Sequence, residues 1–273
     1  IQIMPMSILY RTFQVPGAYI LRAINSFGEV TILSIQSFYW MFKGKVFSPH
    51  FMQTLNVVGV QSLPLISFTA LFSGMVLVVQ VGNQFMELGA ETYIGGVVGL
   101  SLTRELSPLM VSIILAARIG SSMAAELGTM KVTEQIDALE VMATNPVHFL
   151  VVPRILACMF FTPVLVIYSN VVGILGGLGV AVFQIGCNYH LFVESLVNMV
   201  DISDLISGLI KSTAFGFIVA LVGCYKGLST RGGAKGVGSA TTQSVVVIIT
   251  SILVFNYFFS LAFFAFLKLT DRM

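Results

Sequence analysis

Two charged residues, Arg104 and Glu105, interrupt an apolar stretch that runs roughly from residue 94 to residue 118. At 1.5 Å per residue they lie about 15 Å from its outer end, near the middle of a hydrocarbon layer about 30 Å thick. A charge at that depth costs about 2.5 to 3.5 kcal/mol even on lenient scales, so it normally faces a protein interior or a wet cavity and has a partner. Adjacent helical residues point about 100° apart, so these two are not expected simply to pair with each other. They predict either a polar patch that lines a substrate path or a buried ion pair that locks helices together.

A second candidate is an amphipathic segment at about residues 130–143, which we expect to form one short helix. One helical face carries the apolar residues Val132, Ile136, Leu139 and Ala143. The remaining positions include Lys131, Glu134, Asp137 and Glu140. Helices that bind membrane surfaces are usually rich in Lys and Arg, so this acidic helix favours insertion into a groove on a partner protein. A plain membrane-surface helix is the alternative.

None of the motifs that would make this chain an enzyme occurs in the sequence. The loop at residues 232–238 is rich in glycine, but Lys235 is followed by glycine rather than by the Ser or Thr of a phosphate-binding P-loop. Zinc-hydrolase and serine-hydrolase motifs are also missing. The three cysteines and three histidines are dispersed, without metal-site spacing. We therefore expect no catalytic residue, metal or cofactor on this chain, and ATP hydrolysis with its Mg²⁺ on a separate polypeptide.

The composition is that of a protein embedded in lipid. Of the 273 residues 56% are hydrophobic and only 10% are charged, whereas soluble domains have about 25% charged residues. The mean hydropathy is +0.94. Basic residues are scattered and the net charge is +2, so the sequence gives no indication of nucleic-acid binding.

Five segments are apolar and long enough to span a membrane: roughly 57–81, 94–118, 154–186, 206–225 and 243–267. Lys and Arg accumulate on the cytoplasmic side of membrane proteins, and basic loops alternate here with acidic ones. The alternation predicts a cytoplasmic loop around residues 130–143 and an outward, periplasmic C-terminus. Arg118 and Arg154, at the inner ends of two spans, are predicted to be interface anchors.

Residues 1–25 are predicted to form an amphipathic helix at the membrane interface, broken into two pieces at Pro16-Gly17. Segment 26–43 is too short for a clear span, and basic residues on both of its sides indicate the cytoplasm. We therefore expect it to be re-entrant or to lie within one leaflet. The predicted fold is an all-α integral membrane protein in which these two segments precede a domain of five transmembrane helices at residues 50–270.

Small residues and prolines inside the spans predict how the helices pack. Gly173-x-x-x-Gly177 has the spacing that lets two helix backbones approach closely in lipid. Pro64, Pro108 and Pro163 lie within spans, where each proline frees a carbonyl that a neighbouring helix, a hydroxyl or water must satisfy.

A long central block of the sequence resembles the MlaE/YrbE permease family of MCE transport systems. The resemblance covers about residues 50–267. Its motifs are Leu102-Thr-Arg-Glu-Leu-Ser-Pro108, Ala117-Arg-Ile-Gly-Ser-Ser122, the run from Ala125 to Met142, Val152-Pro-Arg154 and Gly232-Gly-Ala-Lys-Gly-Val-Gly-Ser-Ala-Thr-Thr242.

The resemblance implies a homodimer in the inner membrane of a diderm bacterium, or in the equivalent envelope membrane of an organelle. It implies two ABC ATPase subunits, an MCE-domain substrate-binding protein and a small STAS-domain regulator as partners. Phospholipid would be the substrate class and lipid asymmetry the process served.

The resemblance also implies roles for individual residues. The lipid pocket would include Arg104, Glu105, Leu77, Gln80, Leu102 and Pro108, between the first, second and fifth spans. The helix at 130–143 would be the coupling helix seated in the ATPase, and the coupling residues would be Glu126, Lys131, Glu134, Gln135, Asp137, Leu139 and Glu140.

Two other functions stay open. An ion-coupled secondary transporter would use Arg104 and Glu105 as its gate. A purely structural membrane anchor would use the same two residues only for stability.

Overall fold

The computed structural model describes the backbone of residues 6–43 and 49–270 and the side chains of residue 21, residues 24–43 and residues 51–265. This part of the chain is helical and contains no strand. The α-helices are α1 (Met6–Lys43), α2 (Pro49–Val58), α3 (Leu63–Glu87), α4 (Ile94–Ser101), α5 (Ser107–Leu115), α6 (Ser121–Val132), α7 (Gln135–Val141), α8 (Val152–Val180), α9 (Tyr189–Met199), α10 (Ile202–Leu228) and α11 (Gly233–Thr270).

Five helical segments of the described chain are long and apolar enough to cross a membrane, which confirms the predicted fold class. They are Phe51–Glu87, Glu91–Val132, Val147–Ile185, Ile202–Leu228 and Gly233–Ala265. Each of the first four helical segments begins before the apolar segment predicted for it, because the helix continues into polar residues.

The second span is not a uniform α-helix. Two π-helical turns, Leu102–Leu106 and Ala116–Gly120, separate α4, α5 and α6. Single π turns inside α-helices are rare and are frequent at functional sites. The first turn contains Arg104 and Glu105 and the second contains Arg118, so all three charged residues between Ile94 and Gly120 lie on π turns.

Close backbone contact between α3 and α8 confirms the packing role predicted for the glycines. A Cβ atom added to Gly74 of α3 would lie 1.9 Å from the carbonyl oxygen of Gly173 on α8. One added to Gly176 would lie 2.7 Å from the carbonyl oxygen of Leu71. No side chain fits at such distances, so the two helices depend on glycine for their approach.

Helix α10 is the central helix of the bundle, packed against α8, α6 and α11. Its glycines again allow close approach: a Cβ on Gly216 would lie 2.6 Å from the carbonyl oxygen of Cys158, and one on Gly208 would lie 2.7 Å from that of Thr103. One large apolar core, which includes Leu115, Ile155 and Phe215, is shared by the helices around α10. This packing fixes α10 against the first π turn.

The N-terminal segment differs from its prediction. Helix α1 is continuous from Met6 to Lys43, so the predicted break at Pro16-Gly17 is wrong. A proline removes one backbone donor and kinks a helix without having to end it, and α8 likewise continues through Pro163. The division at residue 25 and the re-entrant or one-leaflet position of residues 26–43 stay predictions. Residues 1–5 lie outside the described residues.

The side chains of the second half of α1 attach it to the bundle. Glu29 accepts a hydrogen bond of 2.8 Å from the hydroxyl of Tyr225 on α10. The rings of Trp40 and His148 are 5.1 Å apart. This part of α1 therefore packs against the helix bundle.

The segment predicted as one helix at 130–143 is two helices with a sharp joint. Helix α6 ends at Val132, Glu134 adopts the left-handed conformation with φ of 58°, and α7 begins at Gln135. The end of α7 is a Schellman motif with Ala143 at φ 57°: Ala143 N donates to Glu140 O and Thr144 N to Leu139 O. The apolar residues keep a helical spacing through this stretch, so the sequence pattern does not indicate the joint.

Candidate functional site: a charged cluster within the membrane spans

Arg104 and Glu105 each have a separate partner on α10, as their helical positions predict. Arg104 Nε lies 2.6 Å from Oδ1 of Asp204. Asp204 is completely buried and stands in the first turn of α10, where the other carboxylate oxygen accepts a bond of 3.1 Å from the backbone nitrogen of Asp201. Negative charge is favoured at a helix N-terminus, so the arginine, the helix end and the backbone donor together stabilise this buried carboxylate.

Glu105 binds Lys211, which lies two turns further along α10. Lys211 Nζ donates to Oε1 of Glu105 at 2.9 Å, and the lysine is 2% exposed. Helix α11 provides two more donors to the same carboxylate: Ser260 Oγ at 2.7 Å and Asn256 Nδ2 at 3.0 Å. One carboxylate thus joins three spans, and its three donors compensate the loss of water at this depth.

Pro108 explains a further contact of Lys211. The proline has no N–H to offer the carbonyl oxygen of Arg104, four residues before it. Lys211 Nζ donates to that oxygen at 3.1 Å. The carbonyl that Pro108 frees is therefore satisfied by a neighbouring helix, as predicted for prolines within spans.

Aromatic side chains of α11 close the cluster on its remaining side. Lys211 Nζ lies 5.6 Å from the ring centre of Phe259, and the Arg104 guanidinium lies 5.8 Å from that of Phe264. Both distances suit cation–π attraction. The space enclosed among these groups is about 10 Å³, which is about the room for one water molecule. The enclosed space is therefore too small for anything larger than water.

An open apolar groove lies next to the cluster, between α10 and α11. Its volume is about 420 Å³ and its wall consists of Ile218, Thr250, Ser251, Val254, Phe255 and Phe258. The rings of Phe255 and Phe259 are 6.0 Å apart, so an aromatic pair connects the groove with the lysine of the cluster. Charged groups and apolar surface therefore meet along one face of α11.

Four of the six residues predicted for a lipid pocket do not belong to the charged cluster. Leu102 is buried in a second apolar core, which lies between α3, α4, α8 and α9, and Leu77 packs against this core. Gln80 is exposed on α3. Pro108 is buried and acts through the carbonyl described above. The structure brings together only Arg104 and Glu105 of the predicted set.

Asp204, Lys211, Asn256 and Ser260 belong to the cluster and were not predicted. Lys211 had a signal in the sequence, because it is a lone lysine within the apolar stretch 206–225. Asp204 looked like part of an acidic outer loop, and it lies instead within the first turn of a helix. Asn256 and Ser260 have the ordinary composition of a span, so only the fold reveals their role.

The residues predicted to couple to an ATPase lie at the joint between α6 and α7. Lys131 and Asp137 form an ion pair of 2.7 Å across the joint, and both are partly exposed. Glu134, Gln135 and Glu140 are exposed, whereas Leu139 packs partly against the core. Two apolar side chains, Val141 and Met142, are 88% and 65% exposed. The joint therefore presents acidic and apolar groups together.

Glu126 differs from the other predicted coupling residues, because its half-exposed carboxylate binds a buried arginine. Its Oε1 lies 2.8 Å from Arg154 NH2. Arg154 is 2% exposed, so its predicted role as an interface anchor is wrong: the surrounding helices bury it completely, and a carboxylate on α6 provides its counter-charge.

Comparisons with known proteins agree with one another over most of the chain. The family model described as Permease MlaE matches residues 51–262. A probable ABC transporter permease protein of Synechocystis is 43% identical over 228 residues, which are 84% of this chain and 87% of the relative. One from Rickettsia typhi is 40% identical, over 88% and 93% of the two chains. The chloroplastic protein TRIGALACTOSYLDIACYLGLYCEROL 1 of Arabidopsis thaliana is 36% identical, over 91% and 70%.

Proposed function

Because the chain belongs to the MlaE family of ABC transporter permeases, we propose that it is the membrane subunit of an ATP-driven transporter that moves phospholipid between the inner and outer membranes. The family makes it a multi-pass transport subunit rather than an enzyme. The substrate, the energy source and the membrane are the parts that the proposal adds.

One observation carries the choice of substrate: the charged cluster and the apolar groove share one face of α11. Asn256 and Ser260 bind Glu105, while Val254, Phe255 and Phe258 of the same helix line the groove. A phospholipid also combines a charged head group with apolar chains at a fixed separation. Opening of the closed cluster would offer Arg104 and Lys211 to a phosphate, with the chains in the groove. The name of the Arabidopsis relative, which is that of a glycolipid, supports a lipid as cargo.

The partners of this subunit are also part of the proposal. Only 11% of the apolar window of the span Gly233–Ala265 is buried, the lowest share among the five spans found in the described residues. A second copy of the chain would cover this face and complete the groove. The acidic and apolar joint between α6 and α7 would bind an ABC ATPase that carries ATP and Mg²⁺. An MCE-domain protein on the periplasmic side and a small STAS-domain regulator would complete the assembly.

The path from the ATPase to the lipid runs along one helical span in this fold. The joint at Glu134 follows the end of the span Glu91–Val132, and the cluster residues Arg104 and Glu105 lie within it. Movement of α7 on the cytoplasmic side would displace α6 along its axis and reach the π turn at Leu102–Leu106. Since Glu105 is bound to α10 and α11, the displacement would separate three spans at one point.

Native mass spectrometry of the tagged chain, gently extracted with its neighbours, tests the composition. We expect two copies with two ATPase subunits and retained phospholipid. Reconstitution in liposomes then tests function: lipid transfer should require ATP and should be lost in Glu105→Ala. A chain that remains alone in the mildest extraction, or that transfers lipid equally without ATP, would disprove the proposal.

The Lys211–Glu105 pair also favours a second candidate, an ion-coupled secondary transporter. A buried pair of opposite charges at this depth resembles the proton and ion relays of such proteins. This alternative predicts uptake that follows a proton gradient and needs no ATPase, so the same liposomes with an imposed gradient separate the two functions.

A further inference from the structure

A second charged site lies far from the cluster at Glu105, in the cytoplasmic half of the bundle. It is a cavity of about 150 Å³ between α2, α6 and α8. An engineered cavity of this volume holds a molecule the size of benzene. Its rim is polar, with exposed Gln53 on α2 and exposed Ser122 on α6, and its wall contains both Glu126 and Arg154.

Arg154 brings a buried guanidinium to the wall of this cavity. Its NH1 donates to the carbonyl oxygen of Leu150 at 2.6 Å, and its NH2 lies 2.8 Å from Glu126 Oε1. The arginine is 2% exposed, and burying such a charge is costly unless acceptors surround it. Because the guanidinium lines the cavity, a small acceptor bound there would add to these contacts. Phosphate oxygens match the planar fork of a guanidinium best.

Glu126 determines which phosphate group would fit. Its side chain is 52% exposed and stands beside the arginine in the same wall. A group with phosphate alone would meet the repulsion of this carboxylate. A group that carries a phosphate and an ammonium a few ångströms apart would pair with both residues, with the phosphate at Arg154 and the ammonium at Glu126.

The site lies at the depth of lipid head groups. The span Val147–Ile185 has 39 residues, about 58 Å of helix, which leaves about 14 Å beyond a 30 Å hydrocarbon layer at each end. Arg154 is seven residues, or about 10 Å, from the end of this span. It is therefore placed just outside the hydrocarbon, where the head groups of one leaflet lie.

We propose that this cavity is a second lipid site, which binds the zwitterionic phosphoethanolamine head group of a phospholipid between Arg154 and Glu126. The site goes beyond the proposed transport function, because it shares no residue with the cluster at Glu105 and selects a head group in one leaflet. Free phosphoethanolamine has the same chemistry, and the experiment separates the two sources.

The test uses the full chain in nanodiscs that contain equal amounts of phosphatidylethanolamine and phosphatidylglycerol, with native mass spectrometry of the lipids that stay bound. The wild-type chain should retain the ethanolamine lipid in severalfold excess. Glu126→Gln removes the charge that binds the ammonium and should lower this excess about tenfold, the change expected from one charge-assisted contact. Soluble phosphoethanolamine at millimolar concentration should not displace the lipid; if it does, the natural ligand is the free compound.

Two further variants keep the test independent of folding and of the transport proposal. Ser122→Phe fills the rim without changing a charge and should remove the retained lipid. Glu194→Gln, an exposed charge change on α9 outside both sites, should leave the head-group ratio unchanged, and the ratio is measured without ATP, so it does not depend on transfer. An equal ratio of the two lipids in the wild-type chain, or wild-type ratios in both Glu126→Gln and Ser122→Phe, would overturn the proposal and leave the cavity to water.

Discussion

Lys211 and Glu105 form an ion pair of 2.9 Å whose two members differ widely in burial: the lysine side chain is 2% exposed and the glutamate side chain is 40% exposed. The pair joins α10 to the π turn of the second span, and the same lysine nitrogen donates to the carbonyl that Pro108 frees. Because one partner is buried and the other is not, loss of either residue should have a different cost.

Glu105→Ala should therefore destabilise the protein more than Lys211→Met. The first change leaves a buried ammonium without its counter-charge, which costs about 3 to 5 kcal/mol. The second leaves a half-exposed carboxylate that still accepts bonds from Ser260 and Asn256, and should cost less than about 2 kcal/mol. Thermal unfolding of both variants in the same detergent measures the order, and the double variant should recover part of the loss. Equal destabilisation by the two single changes would contradict this account of the pair.

Asp204→Ala should destabilise the protein more than Asp201→Ala, its matched control three residues earlier. Asp204 is fully buried and binds both Arg104 and the first turn of α10, so its loss should cost about 2 to 3 kcal/mol. Asp201 is exposed, and loss of an exposed helix cap costs about 1 kcal/mol. Chemical unfolding measures both values. If Asp201→Ala proved the more harmful, the buried ion pair would have no stabilising role.

Reversing two exposed charges at the joint should release the proposed ATPase without unfolding the chain. Glu134→Arg with Asp137→Arg changes the surface charge next to Val141 and Met142 from negative to positive. Glu134 and Asp137 are both exposed. Co-purification measures the effect, with an unchanged unfolding temperature as the folding check. Glu194→Arg is the control and should retain the ATPase, because Glu194 is an exposed residue of α9, which packs against α4 at the other end of the second span. Retention by the double variant would show that the joint is not the coupling surface.

Ala143→Gly should stabilise the protein slightly. Ala143 occupies the left-handed position of the Schellman motif that ends α7, and a residue with a Cβ pays about 1 kcal/mol there relative to glycine. A rise in unfolding temperature is the expected result, and Ala138→Gly within α7 should lower it instead. No rise in Ala143→Gly would show that the end of α7 does not limit stability.

Gly74→Ala should disrupt the contact between α3 and α8. The new Cβ would lie 1.9 Å from the carbonyl oxygen of Gly173, which forces the two backbones apart at a cost of about 1 to 3 kcal/mol. Gly179→Ala on α8 is the control, because a Cβ there meets nothing within 4 Å. Unfolding in detergent should separate the two variants, and equal stability would mean that α3 shifts freely along α8.

The spans, the glycine contacts and the charged residues of the second span could be predicted from the sequence, because each rests on a local pattern. Apolar length specifies a span, and Gly173-x-x-x-Gly177 specifies a packing face. The depth of Arg104 and Glu105 follows from counting residues along a helix. Because a charge at that depth is costly, Arg104 and Glu105 were each predicted to have a polar or charged partner.

The identity of those partners could not be predicted, because they lie about 100 to 155 residues away along the chain. Lys211 could have been noticed as a lone charge in an apolar span, but no pattern joins it to Glu105. The joint at Glu134 was also missed, since a helical repeat continues through it and only the backbone angle marks the break. Likewise Pro16 indicates a possible kink, and tertiary packing decides whether the helix ends.

The paired arrangement of the cluster has a consequence for energetics across a charged membrane. Arg104 and Lys211 carry two positive charges, and Asp204 and Glu105 carry two negative ones, so the sum is zero. Moving one elementary charge through 100 mV takes about 2.3 kcal/mol, but moving this set together takes none. A movement that carries the four groups together therefore transfers no net charge across the membrane, and a zwitterionic cargo adds none.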